Sequence, residues 1–296
     1  MSYIIGIDSG GTHITGEALS MTGDVLHKEE SGPGNIFLNY DSTITNLTDV
    51  IGRLLEKMQP QICEYVVMGV AGIETTGTAV QVSQFFTEKF QVPVKVISDA
   101  QLALLNGLEG HDGTLVIAGT GSVVYGRQNK RLLRYGGWGF LLGDTGSAYK
   151  ITEAAVKYAL YLQDSNKQND FIPFIQKIFQ VESLTAVVQK YYHLDRTSIA
   201  SLSKSIGEKA AAGSMEATQI ITNQAIALAT EVLGLLKQYQ KPCPKRLALS
   251  GSVLTNNDSY RDTLVTTIQT HYPELEIHTV ATNNSHGAIY WSRWEK

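Results

Sequence analysis

Cysteine is scarce in this chain. Its 296 residues include two, Cys63 and Cys243. They have no spacing for a zinc site or a redox pair, which leaves reduced thiols of a cytoplasmic protein as the expected reading. Long apolar runs are also missing. No stretch of about 18 apolar residues occurs, so no membrane span and no membrane partner are expected. The first residues run straight into an apolar strand, without the basic-then-apolar pattern of a secretory leader. Positive charge is not in excess. The 24 Lys and Arg face 28 Asp and Glu, a formal net charge of -4, which argues against a nucleic-acid-binding face. Low-complexity segments and disordered linkers are absent. With 43% hydrophobic residues over this length, the chain can build two modest domains, each with a full core.

What is present begins at the N-terminus. Tyr3-Ile4-Ile5-Gly6-Ile7-Asp8-Ser9-Gly10-Gly11-Thr12 is an apolar run that ends in turn chemistry, the pattern of a buried strand and a tight loop. Glycines let a backbone approach a ligand closely, and successive N–H groups in such a turn can cup an anion. Asp8, at the strand end, is placed to meet a hydrated cation accompanying that anion. Thr114 to Gly126 repeats the design, with Gly119-Thr120-Gly121-Ser122 between two apolar strands. Arg246 to Val253 gives a third strand and small-residue turn, containing Gly251 and Ser252. A plain hairpin turn is the alternative for each loop. Two such loops far apart in sequence suggest a duplicated architecture with a nucleotide held between two halves.

In chain order, a three-strand meander spans the first 31 residues. A helix follows around Ile44 to Met58, a strand at 65–72, a helix at 77–90 and a strand at 94–97. Asp99 closes that strand and opens a helix, where an N-cap role competes with a chemical one. The alternation implies mixed sheets with parallel strands and an active edge at their carboxyl ends. The second half repeats the meander at 114–118, 122–127 and 131–135. Helices then run from 147 to about 239, those near 165–240 forming an insertion the first half lacks. A strand at 246–250, a helix at 257–271, a strand at 275–280 and a helix at 285–294 complete the chain. The expected domains are 1–110 and 111–296. The glycine-rich stretch Gly136-Gly137-Trp138-Gly139-Phe140-Leu141-Leu142-Gly143-Asp144-Thr145-Gly146-Ser147 makes a poor core element and suits a loop that touches a small ligand.

The first three stretches, in this order, resemble the phosphate-1, phosphate-2 and adenosine motifs of the superfamily of sugar kinases, heat-shock chaperones and actin. With the Gly-Gly-Trp-Gly and Gly-Asp-Thr-Gly-Ser pieces, the chain resembles the N-acetylglucosamine kinase family, within the BadF/BadG/BcrA/BcrD-type ATPase group. The resemblance implies a duplicated actin-like, ribonuclease H-like α/β fold: two domains with mixed sheets flanked by helices, and a cleft between them. It implies ATP and Mg²⁺ as cofactors. Asp8, Gly10, Gly11, Thr12, Gly119, Thr120, Gly121, Ser122, Gly251 and Ser252 would bind the nucleotide, with Asp8 near the metal through water. Asp99 would accept the proton of the sugar hydroxyl. Asn35, Gly137, Trp138 and Asp144 would contact an amino sugar.

The expected function is therefore an ATP-dependent hexosamine kinase acting on the 6-hydroxyl of N-acetylglucosamine, with N-acetylmuramic acid and glucosamine as rivals. Two other classes compete. One is an ATPase that activates an iron–sulfur enzyme, for which the two cysteines offer no cluster spacing. The other is a sugar-sensing regulator, for which no DNA-binding segment precedes the first strand. A homodimer through the helical insertion is an alternative to packing of that insertion within its own domain.

Overall fold

The computed structural model describes residues 2–167 and 169–295. Gln168, inside the expected insertion, lies outside the described residues. The chain divides into two compact units. One comprises the chain up to Gly113 together with the segment from Val280 onward, and the other is Thr114–Thr279.

The first unit contains β1 (Ser2–Ser9), β2 (Ile14–Ser20), β3 (Val25–Ser31), α1 (Tyr40–Lys57) and β4 (Ile62–Val70). It continues with α2 (Ile73–Thr76), α3 (Ala79–Phe90), β5 (Val94–Ser98) and α4 (Asp99–Gly107). The expected helix at 77–90 is α3, begun two residues later, and a separate short turn, α2, precedes it, with Gly77 in the left-handed conformation between them. The sheet order is β3-β2-β1-β4-β5. β1 is antiparallel to β2 and parallel to β4, and β4 is parallel to β5. Its central strand is buried on both faces, as its continuous apolar run requires. Tyr3, Ile5 and Ile7 pack into a core with Leu47, Val50 and Phe86. Ile4 lies in a second core with Leu102, Leu105 and Ala288.

The second unit repeats the plan with β6 (Gly113–Ala118), β7 (Ser122–Gln128) and β8 (Arg131–Tyr135). Between the meander and the next strand come α5 (Ala148–Asp164), α6 (Phe171–Phe179), α7 (Leu184–His193), α8 (Arg196–Ser201), α9 (Ser203–Ala211) and α10 (Met215–Leu236). Where the first unit has α1, the second has this helical group. Then follow β9 (Arg246–Ser250), α11 (Ser252–Asn256), α12 (Asp258–Gln269) and β10 (Glu276–Thr279). The sheet order β10-β9-β6-β7-β8 is the first unit's order read in reverse. β6, β9 and β10 are parallel. The insertion packs within its own unit: Phe171, Phe179, Val187, Ile199 and Ile206 join the core of Val116, Val124 and Leu249. α10 is long and apolar enough to cross a membrane by length and composition. Its Ile221, Leu228, Val232 and Leu235 are buried in that same core.

The chain ends in a 3-10 helix, Asn284–Tyr290, and a last turn, α13 (Trp291–Trp294). The expected final helix is thus mostly 3-10. It packs beside β1 and α4 of the first unit, and Ala288 joins the core of Ile4 and Leu102.

Candidate active site

In the first unit the candidate groups gather at the carboxyl ends of the parallel strands. Register places Asp8 beside Gly69 and Gly69 beside Ile97, then Ser9 beside Val70 and Val70 beside Ser98. Asp8 therefore lies at the end of β1 and Asp99 one residue past β5, with β4 between them. After Ser9 the chain turns at once: the Gly10 N–H donates to the His13 carbonyl at 3.0 Å. The N–H groups of Gly11 and Thr12 have no partner among the described residues. A Cβ placed on Gly11 would meet nothing within 4 Å. The turn joins the antiparallel strands β1 and β2 and leaves two adjacent N–H groups open, a geometry able to cup an anion. His13 hydrogen-bonds Thr12 Oγ1 at 3.0 Å and is exposed.

Asp99 is the first residue of α4, and it is not the cap. Ser98 fills that position: its Oγ accepts from the Gln101 N–H, while Gln101 Oε1 accepts from the Ser98 N–H. This reciprocal capping box corrects the sequence-based N-cap reading of Asp99. Asp99 Oδ1 accepts only from the Ala100 N–H, at 2.9 Å. The carboxylate reaches solvent, yet the surrounding protein still raises its pKa above the ordinary value. Desolvation leads, the Ala100 N–H opposes it, and repulsion from Glu74 adds to it.

Asp8 is more deeply set. Burial pushes its pKa up to about 6; a hydrogen bond from Asn284 opposes the rise, and the charge of Asp99 adds to it. The bond runs from Asn284 Nδ2 to Asp8 Oδ2 at 3.2 Å. Asn284 opens the 3-10 helix, whose cap, Asn283, accepts from the Ser285 N–H. Ser285 Oγ donates to buried Glu17 at 2.7 Å. Gly6 makes this crossing possible, since a Cβ there would run into the Ser285 carbonyl. Sequence reading missed Asn284, because 276 residues separate it from Asp8.

Asn35 follows β3 and folds its own turn. Its Oδ1 accepts from the N–H groups of Phe37 and Leu38 at 3.1 and 3.2 Å. This fixes the side chain and leaves Nδ2 without a partner among the described residues.

The second unit builds a matching cup. Gly119 N–H donates to the Gly121 carbonyl at 2.8 Å, and the N–H groups of Thr120 and Gly121 have no partner among the described residues. Ser122 Oγ is committed to the Thr145 carbonyl at 2.7 Å. Gly251, the residue before α11, has φ +97 and lies against the end of β6 at Ala118. Ser252 Oγ lies 3.8 Å from where a Gly119 Cβ would be. The second and third motifs of the sequence thus meet in space.

The glycine-rich loop after β8 is held from inside. Arg134 donates to the carbonyls of Gly136 and Gly137, and its guanidinium lies 4.4 Å from the Trp138 ring centre. Trp138 itself is 68% exposed. Asp144 is only 3% exposed and has φ +56. Its Oδ1 accepts from the Gly139 N–H at 3.2 Å and its Oδ2 from Arg196 Nη2 at 2.7 Å. From α10, Glu231 lies against Gly136, and its buried Oε2 has no partner among the described residues. Arg196 and Glu231 were not singled out in the sequence. Each sits on a helix distant from the loop it supports, where nothing local marks it.

No group of three or more His, Cys, Asp or Glu side chains among the described residues could hold a metal ion. Both thiols are partly buried, and burial raises the pKa of each, that of Cys63 to about 12.

Two sheets of the same order, each with a strand–turn–strand in which adjacent N–H groups stand free, define a duplicated actin-like α/β protein. The sequence profile of the BadF/BadG/BcrA/BcrD ATPase family matches residues 5–289, and the chain belongs to that family. It is 26% identical to the N-acetylmuramic acid/N-acetylglucosamine kinase of Clostridium acetobutylicum, over 100% of this chain and 99% of that protein. It is 25% identical to the N-acetyl-D-glucosamine kinase of Dictyostelium discoideum, over 96% and 95% of the two chains. A Chromobacterium violaceum structure proposed to be an N-acetylglucosamine kinase shares the fold, with TM-score 0.71, 19% identity and 97% of each chain covered.

Proposed function

We propose that this chain is an ATP-dependent amino-sugar kinase that phosphorylates the 6-hydroxyl of N-acetylglucosamine, with N-acetylmuramic acid and glucosamine as alternative acceptors. One observation carries the reading. Asp99 stands at the end of β5 with its helix capped by Ser98, and one carboxylate oxygen has no partner among the described residues. A carboxylate freed from structural duty, with a raised pKa, suits a general base. The full-length similarity to two kinases that act on N-acetylated sugars supports the same acceptor class.

Phosphoryl transfer asks a protein mainly for positioning and charge neutralisation. The sugar hydroxyl oxygen would attack the terminal phosphorus of ATP, its proton passing to Asp99 as the bond to ADP breaks. Gly10, Gly11, Thr12, Gly119, Thr120, Gly121 and Ser122 would bind phosphate oxygens, and Gly251 and Ser252 the nucleoside end. Asn35, fixed through Oδ1, would offer its amide N–H₂ to the sugar, with Gly137, Trp138 and Asp144 as further contacts. Asp8 fits a metal accompanying ATP: it is a half-buried carboxylate with one side-chain donor and a second carboxylate's charge nearby. Mg²⁺ bound through water there would neutralise phosphate charge. A role as activator of an iron–sulfur enzyme gains nothing from two thiols whose pKa values burial raises, because a cluster ligand must be a thiolate.

A coupled assay of ADP release over a panel of amino sugars tests the proposal. ADP should appear only with an acceptor, N-acetylglucosamine being among the best. Equal release with and without sugar would overturn it in favour of the activator reading.

A further inference from the structure

We infer that Arg196 is a phosphate-binding residue of the nucleotide site, supplying the positive charge that the turn Gly119–Ser122 lacks. This rests on the kinase reading above.

The turn contains two glycines and two hydroxyl residues, so its own contribution to anion binding is neutral. Its free N–H groups, those of Thr120 and Gly121, carry only partial charge, whereas a nucleotide's phosphate chain carries several full negative charges. Arg196 opens α8, far away in sequence, yet its guanidinium fills the space beside Gly121 where a side chain would otherwise project. A Cβ on Gly121 would collide with Arg196 Nη2 and lie 2.6 Å from Asp144 Oδ2. Glycine at 121 is therefore required by the cation as well as by any ligand.

Asp144 and Phe140 position the guanidinium. Nη2 donates to the buried Asp144 carboxylate at 2.7 Å, and the guanidinium carbon lies 5.9 Å from the Phe140 ring centre. Guanidinium has five N–H donors in a planar fork. The remaining donors have no partner among the described residues, and the side chain is 40% exposed. A half-exposed guanidinium, oriented by a buried carboxylate beside two free backbone N–H groups, is arranged for the bidentate recognition of phosphate oxygens. Asp144 thus has a second task beside its proposed sugar contact: it aims Arg196.

The test is calorimetric binding of three probes to purified wild type, Arg196→Gln, Arg196→Lys and Asp144→Asn. The probes are a non-hydrolysable ATP analogue, adenosine, and N-acetylglucosamine. Arg196→Gln should weaken the ATP analogue on the order of 10- to 100-fold, the range for hydrogen bonds to a charged group. Adenosine and sugar affinities should stay within about twofold. Arg196→Lys keeps the charge without the fork and should fall in between. Asp144→Asn should weaken the sugar and also weaken the ATP analogue, by less than Arg196→Gln does, since the guanidinium loses its charged anchor but keeps its own charge and donors. Loss of adenosine and ATP-analogue binding alike in Arg196→Gln and Arg196→Lys would overturn the inference. So would an unchanged affinity for the ATP analogue, or loss of sugar affinity alone. Failure of the kinase reading would look different: wild type would release ADP without regard to sugar, whatever Arg196 does.

Discussion

Replacing Asp8 by Asn should make the protein more stable and less active, and the stability gain should depend on pH. The carboxylate is half-buried at the end of β1 with Asn284 as its side-chain donor, and desolvation lifts its pKa to about 6 against an ordinary 3.8. That gap corresponds to about 3 kcal/mol at most. The sign follows from linkage. Below pH 3.8 the group is protonated in both the folded and the unfolded chain and costs nothing. Between 3.8 and about 6 the unfolded chain ionises first, so stability falls as pH rises. Above about 6 the whole penalty is present. Asn keeps an acceptor for Asn284 Nδ2 and carries no charge.

Thermal melts of the ligand-free proteins from pH 4 to 8 measure this directly. Carboxylates common to both proteins cancel in the difference. At pH 8 Asp8→Asn should melt higher by up to roughly 6–12 °C, using about 2–4 °C per kcal/mol for a chain of this order. Near pH 4 the two curves should converge. Adding Mg²⁺ with a non-hydrolysable ATP analogue should then raise the wild-type melt more than the variant's, because only the carboxylate gains from a nearby cation. Turnover in wild type should fall on the acid side below about pH 6, as Asp8 takes up its proton. A difference in melting that does not change with pH, or a wild type that is the more stable protein at pH 8, would refute the reasoning.

The remaining predictions concern the same unit. Asp99→Asn should leave the fold and ATP binding intact, because Ser98 and Gln101 hold the start of α4. Turnover should drop on the order of 10²- to 10⁴-fold, or about 3–5 kcal/mol; a normal turnover per folded molecule would move the base elsewhere. Gly6→Ala should destabilise by about 1–3 kcal/mol, since its methyl would meet the Ser285 carbonyl, and it should weaken binding of the Mg²⁺–ATP analogue. The same melts and titrations check it, and an unchanged melt would show that the 3-10 helix is not seated on β1 as described.

Much of the fold was legible because its signals are local. The apolar run before Asp8 has a strand's length, and the turns at Gly10–Thr12 and Gly119–Ser122 repeat the same chemistry at matching places. The recurrence of strand–turn–strand then implied two sheets of one plan, and both have it. Local signals also set the limits. Ser98-Asp99 offers two adjacent residues able to cap a helix, and propensity ranks them nearly equal. Gln101 decides it by bonding back to the Ser98 N–H, which puts Asp99 inside the helix and releases its carboxylate. In Gly143-Asp144-Thr145 the composition signals a ligand loop, yet it says nothing of Arg196, 52 residues on, which binds Asp144 Oδ2.

The longest-range feature explains why β1 has the sequence it has. Successive residues of a strand face opposite sides of the sheet. Tyr3, Ile5 and Ile7 face the core built with α1 and α3, so Ile4, Gly6 and Asp8 share the other side. Ile4 packs there against Ala288, Gly6 leaves room for the Ser285 carbonyl, and Asp8 meets Asn284. Three consecutive same-face residues of the first strand thus read out three positions of the last 3-10 helix. Read alone, Gly6 is a weak spot in a strand. Read with the 3-10 helix, it is the position that lets the end of the chain reach the first strand and fix its carboxylate. Without such a donor, Asp8 would carry a still higher pKa. The Asn284 bond therefore favours the anion that a metal–nucleotide complex would need.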